Sequence, residues 1–372
     1  MNQNTDNVSA ANSWRLNSIY FYLTDGCNLN CRHCWLAPLF TGNNEPCNFL
    51  DLDLLKDIVR QGKEIGLQSV KLTGGEPLLH PQFEAIVDFL QAEELGITVE
   101  TNGVLLTEEL AKKLVKSKAF HLSVSLDGVD ADTHEAMRRV KDSFAAALRG
   151  IANMVTVGYK PQIIMSLTPD SAGQMEPMVR LAEEIGARSV KFNLIQSSGR
   201  GEKLHADNAT LSVAQMVELG KWVEDDLSPN AKVGVFYSHP AAFKPLHRLF
   251  GSADGGCNIS GCGIKGIIGV IADGSYALCG IGLQIRELIF GNAKTDKLAD
   301  VWNNSAVLQA IRADLPDKLE GVCADCVLKS RCIGSCVAQN YHGARSLYAP
   351  FWYCQTAYEQ GLFPASRLLR VI

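Results

Sequence analysis

The stretch IYFYLTDGCNLNCRHC (residues 19–34) joins a short apolar run to three closely spaced cysteines. Ile19–Thr24 is rich in apolar and aromatic residues, which predicts a strand. Cys27, Cys31 and Cys34 follow this strand in the spacing C-x3-C-x2-C. Three thiolates on one tight loop can hold three irons of a [4Fe–4S] cubane, which leaves the fourth iron open to a small molecule. We therefore expect a metal centre with an open position behind the first strand.

The twelve cysteines are distributed unevenly over the 372 residues. Four precede residue 50, none lies between Cys47 and Cys257, and eight lie from Cys257 to Cys354. Because a cytosolic compartment keeps thiols reduced, clustered cysteines are more often metal ligands than disulfides. A structural zinc site completed by Cys47 or His33 is the alternative for the N-terminal group, since thiolates suit both metals. Two metal-rich regions thus flank a cysteine-free body.

The composition excludes several classes of partner. The chain is 47% hydrophobic, and its 40 acidic and 35 basic residues give a formal charge of −5. No basic block appears, so nucleic acid is not an expected partner. No apolar run reaches the ~18 residues that a membrane-spanning helix needs. Residues 1–18 lack a signal-peptide profile and predict a frayed, disordered tail, so we expect a cytoplasmic protein.

The cysteine-free body alternates short apolar runs with longer amphipathic patterns. The predicted strands are Ile19–Thr24, Ser69–Leu72, Ile97–Glu100, His121–Leu126, Pro161–Leu167 and Ser189–Leu194. The predicted helices between them are Asp51–Ile65, Pro81–Leu95, Thr107–Val115, Phe144–Val157 and Gly173–Ile185. Repeated βα units predict an α/β fold, and six units favour a partial (β/α)6 TIM-like barrel over residues 19–200. Chemistry in such barrels lies at the C-terminal ends of the strands.

The chain changes character after this body. Ser197–Gly201 predicts a break, and residues 201–254 predict a bridging segment. Residues 255–358 are dense in glycine and cysteine. Because hydrophobic periodicity is weak there, we expect a small domain stabilised by metal binding, followed by a C-terminal tail over 359–372. The elements predicted in these regions are the helix Leu211–Val223 and the strands Lys232–Tyr237, Gly266–Ile271 and Tyr276–Leu278.

The cysteine motif behind the first strand of a partial barrel resembles that of the radical S-adenosylmethionine (SAM) superfamily. Gly74, Gly75, Glu76 and Pro77, after the second predicted strand, are similar to that family's glycine-rich SAM motif. In the family, the backbone of this motif contacts the methionyl amino group. Glycines suit this contact because a ligand must approach the main chain closely. An ordinary strand-to-helix turn is the alternative when the motif is taken alone.

Weaker matches extend the resemblance. His33 occupies the family's aromatic position near the SAM adenine, and Ser125 with Arg139 resembles the groups that hold the SAM ribose and carboxylate. The adjacent Arg138 is the alternative to Arg139, and either arginine could be a solvated cation at a helix end. Position 33 could equally carry an ordinary loop histidine, and residues 101–103 could form an ordinary capping turn. The SAM contacts implied by the resemblance are His33, Gly74, Gly75, Glu76, Pro77, Thr101, Asn102, Ser125 and Arg139.

The C-terminal cysteines resemble the SPASM extension of radical SAM enzymes, which holds two auxiliary iron–sulfur clusters. The matching positions are Cys262, Gly274, Cys279, Cys323-x2-Cys326-x5-Cys332-x3-Cys336 and Cys354, with Cys257 as an extra upstream ligand. The family's interleaved connectivity implies one cluster on Cys257, Cys262, Cys279 and Cys336, and another on Cys323, Cys326, Cys332 and Cys354. Three [4Fe–4S] clusters then use eleven of the twelve cysteines and leave Cys47 as a plain thiol. Two structural zinc ribbons are the alternative.

The resemblance also implies a reaction class. In the family, an external one-electron donor of flavodoxin or ferredoxin type drives cleavage of SAM to methionine and a 5′-deoxyadenosyl radical, which abstracts a hydrogen atom from the substrate. Auxiliary clusters accept or relay an electron. SPASM enzymes mostly act on peptides or proteins, so the resemblance implies maturation of a ribosomally synthesised peptide through a thioether link, a carbon–carbon link or a similar oxidation. Gly321–Cys336 and Gly361–Arg367 are similar to stretches of peptide maturases.

Other functions stay open at this point. Anaerobic sulfatase maturases share the architecture but place an aspartate general base where this chain has Gly280. Enzymes of haem biosynthesis with tetrapyrrole substrates also share it, and Ser198–Gly201 is similar to a stretch in them. A non-enzymatic electron-transfer protein would not need Gly74–Pro77. Because no leader-binding domain precedes Ile19, we expect a leader peptide to bind elsewhere or on a separate leader-binding protein.

Overall fold

The computed structural model describes residues 14–43, 46–117, 119–250 and 263–369. Ten strands of these residues form one sheet: β1 (Ser18–Tyr22), β2 (Ser69–Thr73), β3 (Gly96–Thr101), β4 (Phe120–Ser125), β5 (Gln162–Leu167), β6 (Ser189–Leu194), β7 (Gly234–Tyr237), β8 (Ile267–Val270), β9 (Ser275–Ala277) and β10 (Ile289–Asn292). Their order is β10-β9-β8-β1-β2-β3-β4-β5-β6-β7. Strands β1–β8 pair in parallel, whereas β9 and β10 are antiparallel. The expected α/β partial barrel is confirmed.

Helices connect the parallel strands. The longer ones are α1 (Leu52–Glu64), α2 (Phe83–Ala92), α3 (Glu108–Leu114), α4 (Ala131–Arg138), α5 (Ser143–Thr156), α6 (Met175–Glu184), α7 (Gly201–Ala206), α8 (Val213–Trp222), α9 (Leu298–Asn304), α10 (Ala306–Asp314), α11 (Val337–Ala344) and α12 (Trp352–Glu359). Helices α4, α7 and α9–α12 are absent from the sequence-based expectation, and α4 and α7 are short and weakly periodic. Within the described residues, no helix combines the length and the apolar character needed to cross a membrane.

Side chains on the strands alternate between the hydrophobic core and the interior of the barrel. On β6, Val190 and Phe192 are fully buried in the core, whereas Lys191 and Asn193 line a cavity. This alternation follows from the two-residue period of a strand. A closed eight-stranded barrel fills its interior with packed side chains. Here polar side chains face the interior instead, so the strands position a polar cavity.

Side-chain caps set where the helices begin. Asp51 accepts a hydrogen bond from the Leu54 N–H at 2.8 Å and starts α1. Asp130 accepts one from the Thr133 N–H at 2.8 Å and starts α4. Each cap satisfies an N–H that has no partner within its own helix. The cap at Asp130 therefore sets the register of α4, which ends at Arg138.

The bridging segment (201–254) and the small domain expected from residue 255 each add at least one strand to the sheet of the barrel. Strand β7, from the bridging segment, pairs with β6 and places Tyr237 opposite Phe192. Strand β8, from the cysteine-rich region, pairs with β1 and places Ile267 opposite Ser18. Both edges of the barrel sheet are thus covered by later parts of the chain, because an exposed strand edge leaves backbone groups unpaired.

The predicted frayed tail is too long. Leu16 is fully buried, and the Trp302 Nε1–H donates a hydrogen bond to the Trp14 carbonyl at 2.6 Å. Ser18 already belongs to β1, so residues 14–18 are part of the fold; residues 1–13 lie outside the described residues. At the other end, the Leu369 N–H donates to the Asp325 carbonyl at 2.7 Å, which fixes the C-terminal segment to the cysteine-rich region.

Candidate active site

The C-terminal ends of the parallel strands surround a cavity of about 650 Å³. Cys27, Cys31 and Cys34 line it together. Seven of the sequence-predicted SAM contacts line it as well: His33, Gly74, Gly75, Glu76, Thr101, Asn102 and Ser125. Pro77 is buried at the start of a short 3-10 helix and does not line the cavity. The structure therefore gathers in one place residues that follow four different strands.

The cysteine loop surrounds its sulfur atoms with hydrogen-bond donors. The Leu29 N–H donates to Cys27 Sγ at 3.4 Å, and the Arg138 Nη1–H donates to Cys31 Sγ at 3.5 Å. Burial raises the pKa of the Cys27 thiol and of the Cys31 thiol. Such thiols lose their protons when a metal takes the place of the proton. The donor set, with three sulfurs and nearby N–H groups, fits an iron–sulfur cluster.

The turn after β2 packs directly on the cysteine loop. The Gly75 N–H donates to the Thr24 carbonyl and the Glu76 N–H to the Gly26 carbonyl, both at 2.9 Å. A Cβ added to Gly75 would lie 1.9 Å from the Gly26 carbonyl oxygen. No residue with a side chain fits at that distance. The glycine is therefore required by the close approach of the cysteine loop itself, a reason that sequence reasoning did not find.

Glu76 joins the ends of two strands. Its buried carboxylate accepts hydrogen bonds from the Thr101 hydroxyl at 2.6 Å and from the Asn102 N–H at 2.8 Å. Asn102 in turn donates through Nδ2 to Asn28 Oδ1 at 2.7 Å. Burial raises the pKa of Glu76 to about 7, against the effect of its hydrogen bonds. The 101–103 turn is thus part of the wall that supports the cysteine loop, rather than a simple cap.

A buried ion pair lies on the other side of the loop. Arg138 Nε is 2.7 Å from Asp127 Oδ2, and the Asp127 side chain is fully buried. Although burial opposes ionisation, Arg138 and His33 bring the pKa of Asp127 below its usual range. His33 Nδ1 lies 3.7 Å from the same carboxylate oxygen. Burial lowers the pKa of His33 to about 4, so its ring is neutral near pH 7.

The structure places Arg138, and not the expected Arg139, in the lining of the cavity. Arg139 is exposed, has a left-handed backbone (φ 59°) and caps the C-terminus of α4. Arg138, the last residue of the helix, is buried and lines the cavity. The sequence could not separate these neighbours because α4 was not predicted, and the side on which each arginine lies depends on where that helix ends.

Arg200, which lies outside the cysteine motif, forms hydrogen bonds to the cysteine loop. Its Nε–H donates to the Cys31 carbonyl at 2.8 Å, and its backbone N–H donates to the Cys34 carbonyl at 2.9 Å. Gln284, from the C-terminal region, donates to the Trp35 carbonyl. Sequence reasoning treated 197–201 as a break between domains. An arginine between two glycines, just after a barrel strand, was the available signal for this contact.

Four C-terminal cysteines share a second pocket, lined otherwise mostly by apolar residues. They are Cys323, Cys326, Cys332 and Cys354, the set expected for one auxiliary cluster. Burial raises the pKa of Cys323 to about 11, and a bound metal would replace the proton of such a thiol. Of the other expected set, Cys336 lines the main cavity and Cys279 follows β9. Cys257 and Cys262 lie outside the described residues.

Two family profiles match the chain. The profile of the radical SAM superfamily matches residues 21–182, which include the cysteine loop and strands β2–β5. The profile of SPASM, an iron–sulfur cluster-binding domain, matches residues 262–327. This chain belongs to the radical SAM superfamily. As a radical SAM enzyme it uses a [4Fe–4S] cluster and SAM, and its SPASM domain carries auxiliary iron–sulfur clusters.

The radical SAM chain is similar to known proteins along most of its length. It is 29% identical over 343 residues to the mycofactocin maturase MftC of Mycobacterium ulcerans (strain Agy99), covering 90% of this chain and 87% of the relative. It is 27% identical over 359 residues to the AdoMet-dependent heme synthase of Methanosarcina barkeri (strain Fusaro / DSM 804), covering 93% and 98%. Streptococcus suis SuiB bound to precursor peptide SuiA shares the fold, with a TM-score of 0.70, 20% identity, and coverage of 92% of this chain and 76% of that chain.

Replacing Gly75 with alanine tests the contact between the turn after β2 and the cysteine loop. Because the new Cβ has no room beside the Gly26 carbonyl, we expect Gly75→Ala to displace the loop, to lose about four irons per chain, and to stop SAM cleavage. Gly173→Ala is the matched control, since nothing lies within 4 Å of its added Cβ. Iron content and 5′-deoxyadenosine formation are the measurements. Full iron loading in Gly75→Ala would contradict this role of the contact.

Replacing each arginine in turn tests the corrected assignment. Arg138→Gln leaves the Asp127 carboxylate buried and unpaired, and we expect a loss of about 3–5 kcal/mol in unfolding free energy. Arg139→Gln, at an exposed cap, should change stability by at most about 0.5 kcal/mol. The double variant Asp127→Asn/Arg138→Gln should regain part of the stability. If it also regained SAM affinity, measured by calorimetry, a role of Arg138 in SAM binding would be refuted.

Proposed function

We propose that this enzyme uses SAM to modify a ribosomally synthesised peptide oxidatively, through a thioether link, a carbon–carbon link or a similar oxidation. The observation that carries the proposal is the composite cavity. Besides the cysteine loop, the C-terminal region contributes Cys336, Gln339, Phe351 and Trp352 to its lining. Aromatic and amide side chains beside a reactive centre suit the side chains and backbone of a peptide. The name of MftC as a maturase and the peptide-bound structure of SuiB agree with this choice.

A tetrapyrrole substrate and a sulfatase-type reaction fit the cavity less well. A tetrapyrrole ring system would have to share the cavity of about 650 Å³ with SAM and the cluster. A sulfatase-type aspartate at position 280 has no space, because a Cβ there would lie 2.5 Å from the Tyr22 ring and 2.6 Å from Leu36 Cδ2. The packing of Tyr22 therefore disfavours an acid–base group at this position.

We assign the SAM cluster to Cys27, Cys31 and Cys34, and three [4Fe–4S] clusters to the chain in all, with the two auxiliary sets inferred from the sequence. When bound, this cluster supplies one electron for the reductive cleavage of SAM and thus a 5′-deoxyadenosyl radical that takes a hydrogen atom from the peptide. Arg138 supplies a cation beside Cys31 and the SAM carboxylate. Neutral His33 and the Ser125 hydroxyl border the nucleoside. The buried Glu76 holds the 101–103 turn in place.

Further partners follow from this chemistry. An external one-electron donor of flavodoxin or ferredoxin type would supply the electron for the SAM cluster. The C-terminal cysteine sets would hold auxiliary clusters able to take up or relay the electron that the peptide radical loses on oxidation. A separate leader-binding protein recognises the leader segment of the peptide. Free thiols require a reducing compartment, which supports a cytoplasmic location.

Iron content tests the three-cluster assignment. We expect anaerobically reconstituted protein to bind about eleven to twelve irons per chain and to form 5′-deoxyadenosine with dithionite. Cys27→Ala/Cys31→Ala/Cys34→Ala should lose about four irons and all SAM cleavage, since no thiolate remains on the loop. Cys47→Ala is the matched control, because Cys47 does not line the cavity. Zinc at the loop, or a total near four irons in folded protein, would overturn the assignment.

Deuterium transfer tests the substrate class. Peptides encoded next to this gene, labelled with deuterium, should pass one deuterium to 5′-deoxyadenosine because the radical takes its hydrogen atom from the substrate. The control peptide carries the same sequence without deuterium. Transfer from a deuterated iron tetrapyrrole, with none from any peptide, would refute peptide modification and favour a haem-type function.

A further inference from the structure

Cationic side chains outnumber carboxylates in the lining of the cavity. The charged residues that line it are the cations Lys71, Arg138, Lys191, Arg200 and Lys244 and the carboxylates Glu76 and Glu100. Lys71 Nζ lies 2.6 Å from Glu100 Oε1, so these two charges offset each other. Arg138 is paired with Asp127, and Arg200 is occupied by carbonyls of the cysteine loop. Lys191 and Lys244 are the two cations of this set that have not yet been given a partner.

Lys191 and Lys244 have no such partner. Among the described residues, neither ammonium group takes part in a hydrogen bond or in an ion pair within 4 Å. The two carboxylates that act on these lysines already form other ion pairs. Glu100 pairs with Lys71, and Glu224 pairs with Arg248 at a distance of 3.1 Å. The cavity thus holds two ammonium groups that make no direct contact with a described carboxylate, although Glu100 and Glu224 act on their pKa values from a longer distance.

Both lysines are partly removed from water. Burial lowers the pKa of Lys191, against the effect of Glu100. Burial also lowers the pKa of Lys244, while Glu224 raises it and Lys191 lowers it. The two ammonium groups line the same cavity, and each disfavours the charge of the other. Holding two like charges together away from water costs free energy unless an anion joins them. Such an arrangement is typical of a binding site that is completed by its ligand.

A neutral donor lies beside them. Ser238 donates a hydrogen bond to Asn193 Oδ1 at 2.8 Å, which orients the amide so that its Nδ2 group has no partner among the described residues. Asn193 and Ser238 both line the cavity. A carboxylate only accepts hydrogen bonds and offers two oxygens, so it can be held by two ammonium groups and one amide. The SAM contacts inferred above come from β1–β4, whereas these groups belong to β6 and the segment around β7.

We propose that Lys191 and Lys244, with Asn193, form a carboxylate-binding subsite that holds an acidic group of the substrate inside the cavity. This inference rests on the proposed function as far as the substrate is a peptide. The carboxylate belongs either to an aspartate or glutamate side chain or to a free peptide C-terminus. Binding there places the modified residue at a fixed distance along the peptide from its acidic group, which makes the two lysines determinants of specificity.

Lysine protection tests the subsite without any peptide. The SAM-bound holoenzyme is reductively methylated in the presence of glutarate or of uncharged glutaramide, and modified lysines are located by mass spectrometry. We expect glutarate, but not glutaramide, to protect Lys191 and Lys244. Lys112, an exposed lysine paired with Glu108 on α3, is the internal control and should react equally in both. Equal methylation of Lys191 and Lys244 in both solutions would overturn the subsite.

Peptide binding tests whether the subsite serves a peptide. The probes are three pentapeptides, one with a central glutamate and blocked ends, one with glutamine in its place, and one of alanine with a free C-terminus. We expect one acidic probe to bind at least about tenfold more tightly than the glutamine probe. Lys191→Met and Lys244→Met should remove that preference, and Lys112→Met should keep it. Lys191→Arg should restore it in part, since the charge is retained.

The outcomes separate the two proposals. Protection by glutarate with no binding of any peptide would keep the subsite and refute peptide modification. Peptide binding without a preference for either acidic probe would keep the proposed function and refute the subsite. Loss of SAM affinity in Lys191→Met and Lys244→Met, with iron content unchanged, would show that the lysines serve SAM and would also refute it. The acidic probe that binds more tightly identifies the source of the carboxylate.

Discussion

The close contact between the Gly26 carbonyl and Gly75 is the constraint on which the site depends. Two backbone hydrogen bonds of 2.9 Å join the cysteine loop to the turn after β2, and no side chain fits between them. Arg200 holds the same loop from the other direction through the Cys31 and Cys34 carbonyls. Radical chemistry requires the reacting atoms to be placed precisely, and errors of about 1 Å can cost roughly two orders of magnitude in rate. A loop fixed by its backbone keeps the Cα atoms of the three cysteines in place, which limits where their sulfurs can lie.

Buried charge gives the cavity its electrostatic character. The Asp127–Arg138 pair and the Glu76 carboxylate are both buried in the protein interior. Interactions between charges are stronger there than at the surface, because the interior has a lower dielectric constant than water. Each carboxylate accepts hydrogen bonds from residues at the end of a neighbouring strand. The arrangement of the strands in the sheet therefore determines where it lies. Lys191 and Lys244 differ because, in the part of the chain that the structure describes, no carboxylate forms an ion pair with either. The paired charges support the wall of the cavity, and the two lysines are available to a substrate carboxylate.

Strand β1 links the two cysteine regions mechanically. It pairs with β2 on one side and with β8 of the C-terminal region on the other. At its end, Tyr22 packs with Leu36 from the cysteine loop and with Ile271 beyond β8. A hydrophobic cluster of this kind resists displacement because its packed side chains leave little free volume. The cysteine loop and the cysteine-rich region are therefore held in a constant spatial relation.

The sequence by itself determined the features that depend on spacing along the chain. The strand and helix periods, the C-x3-C-x2-C loop and the Gly74–Pro77 turn are all local, so backbone geometry ties them directly to residue order. Only the tertiary structure decided that Arg138 rather than Arg139 faces the cavity, that Arg200 clamps the loop, and that β8 pairs with β1. It alone brought Lys191 and Lys244 together. These features depend on where a helix ends and on which distant segments pack against each other, and residue spacing carries no information about either.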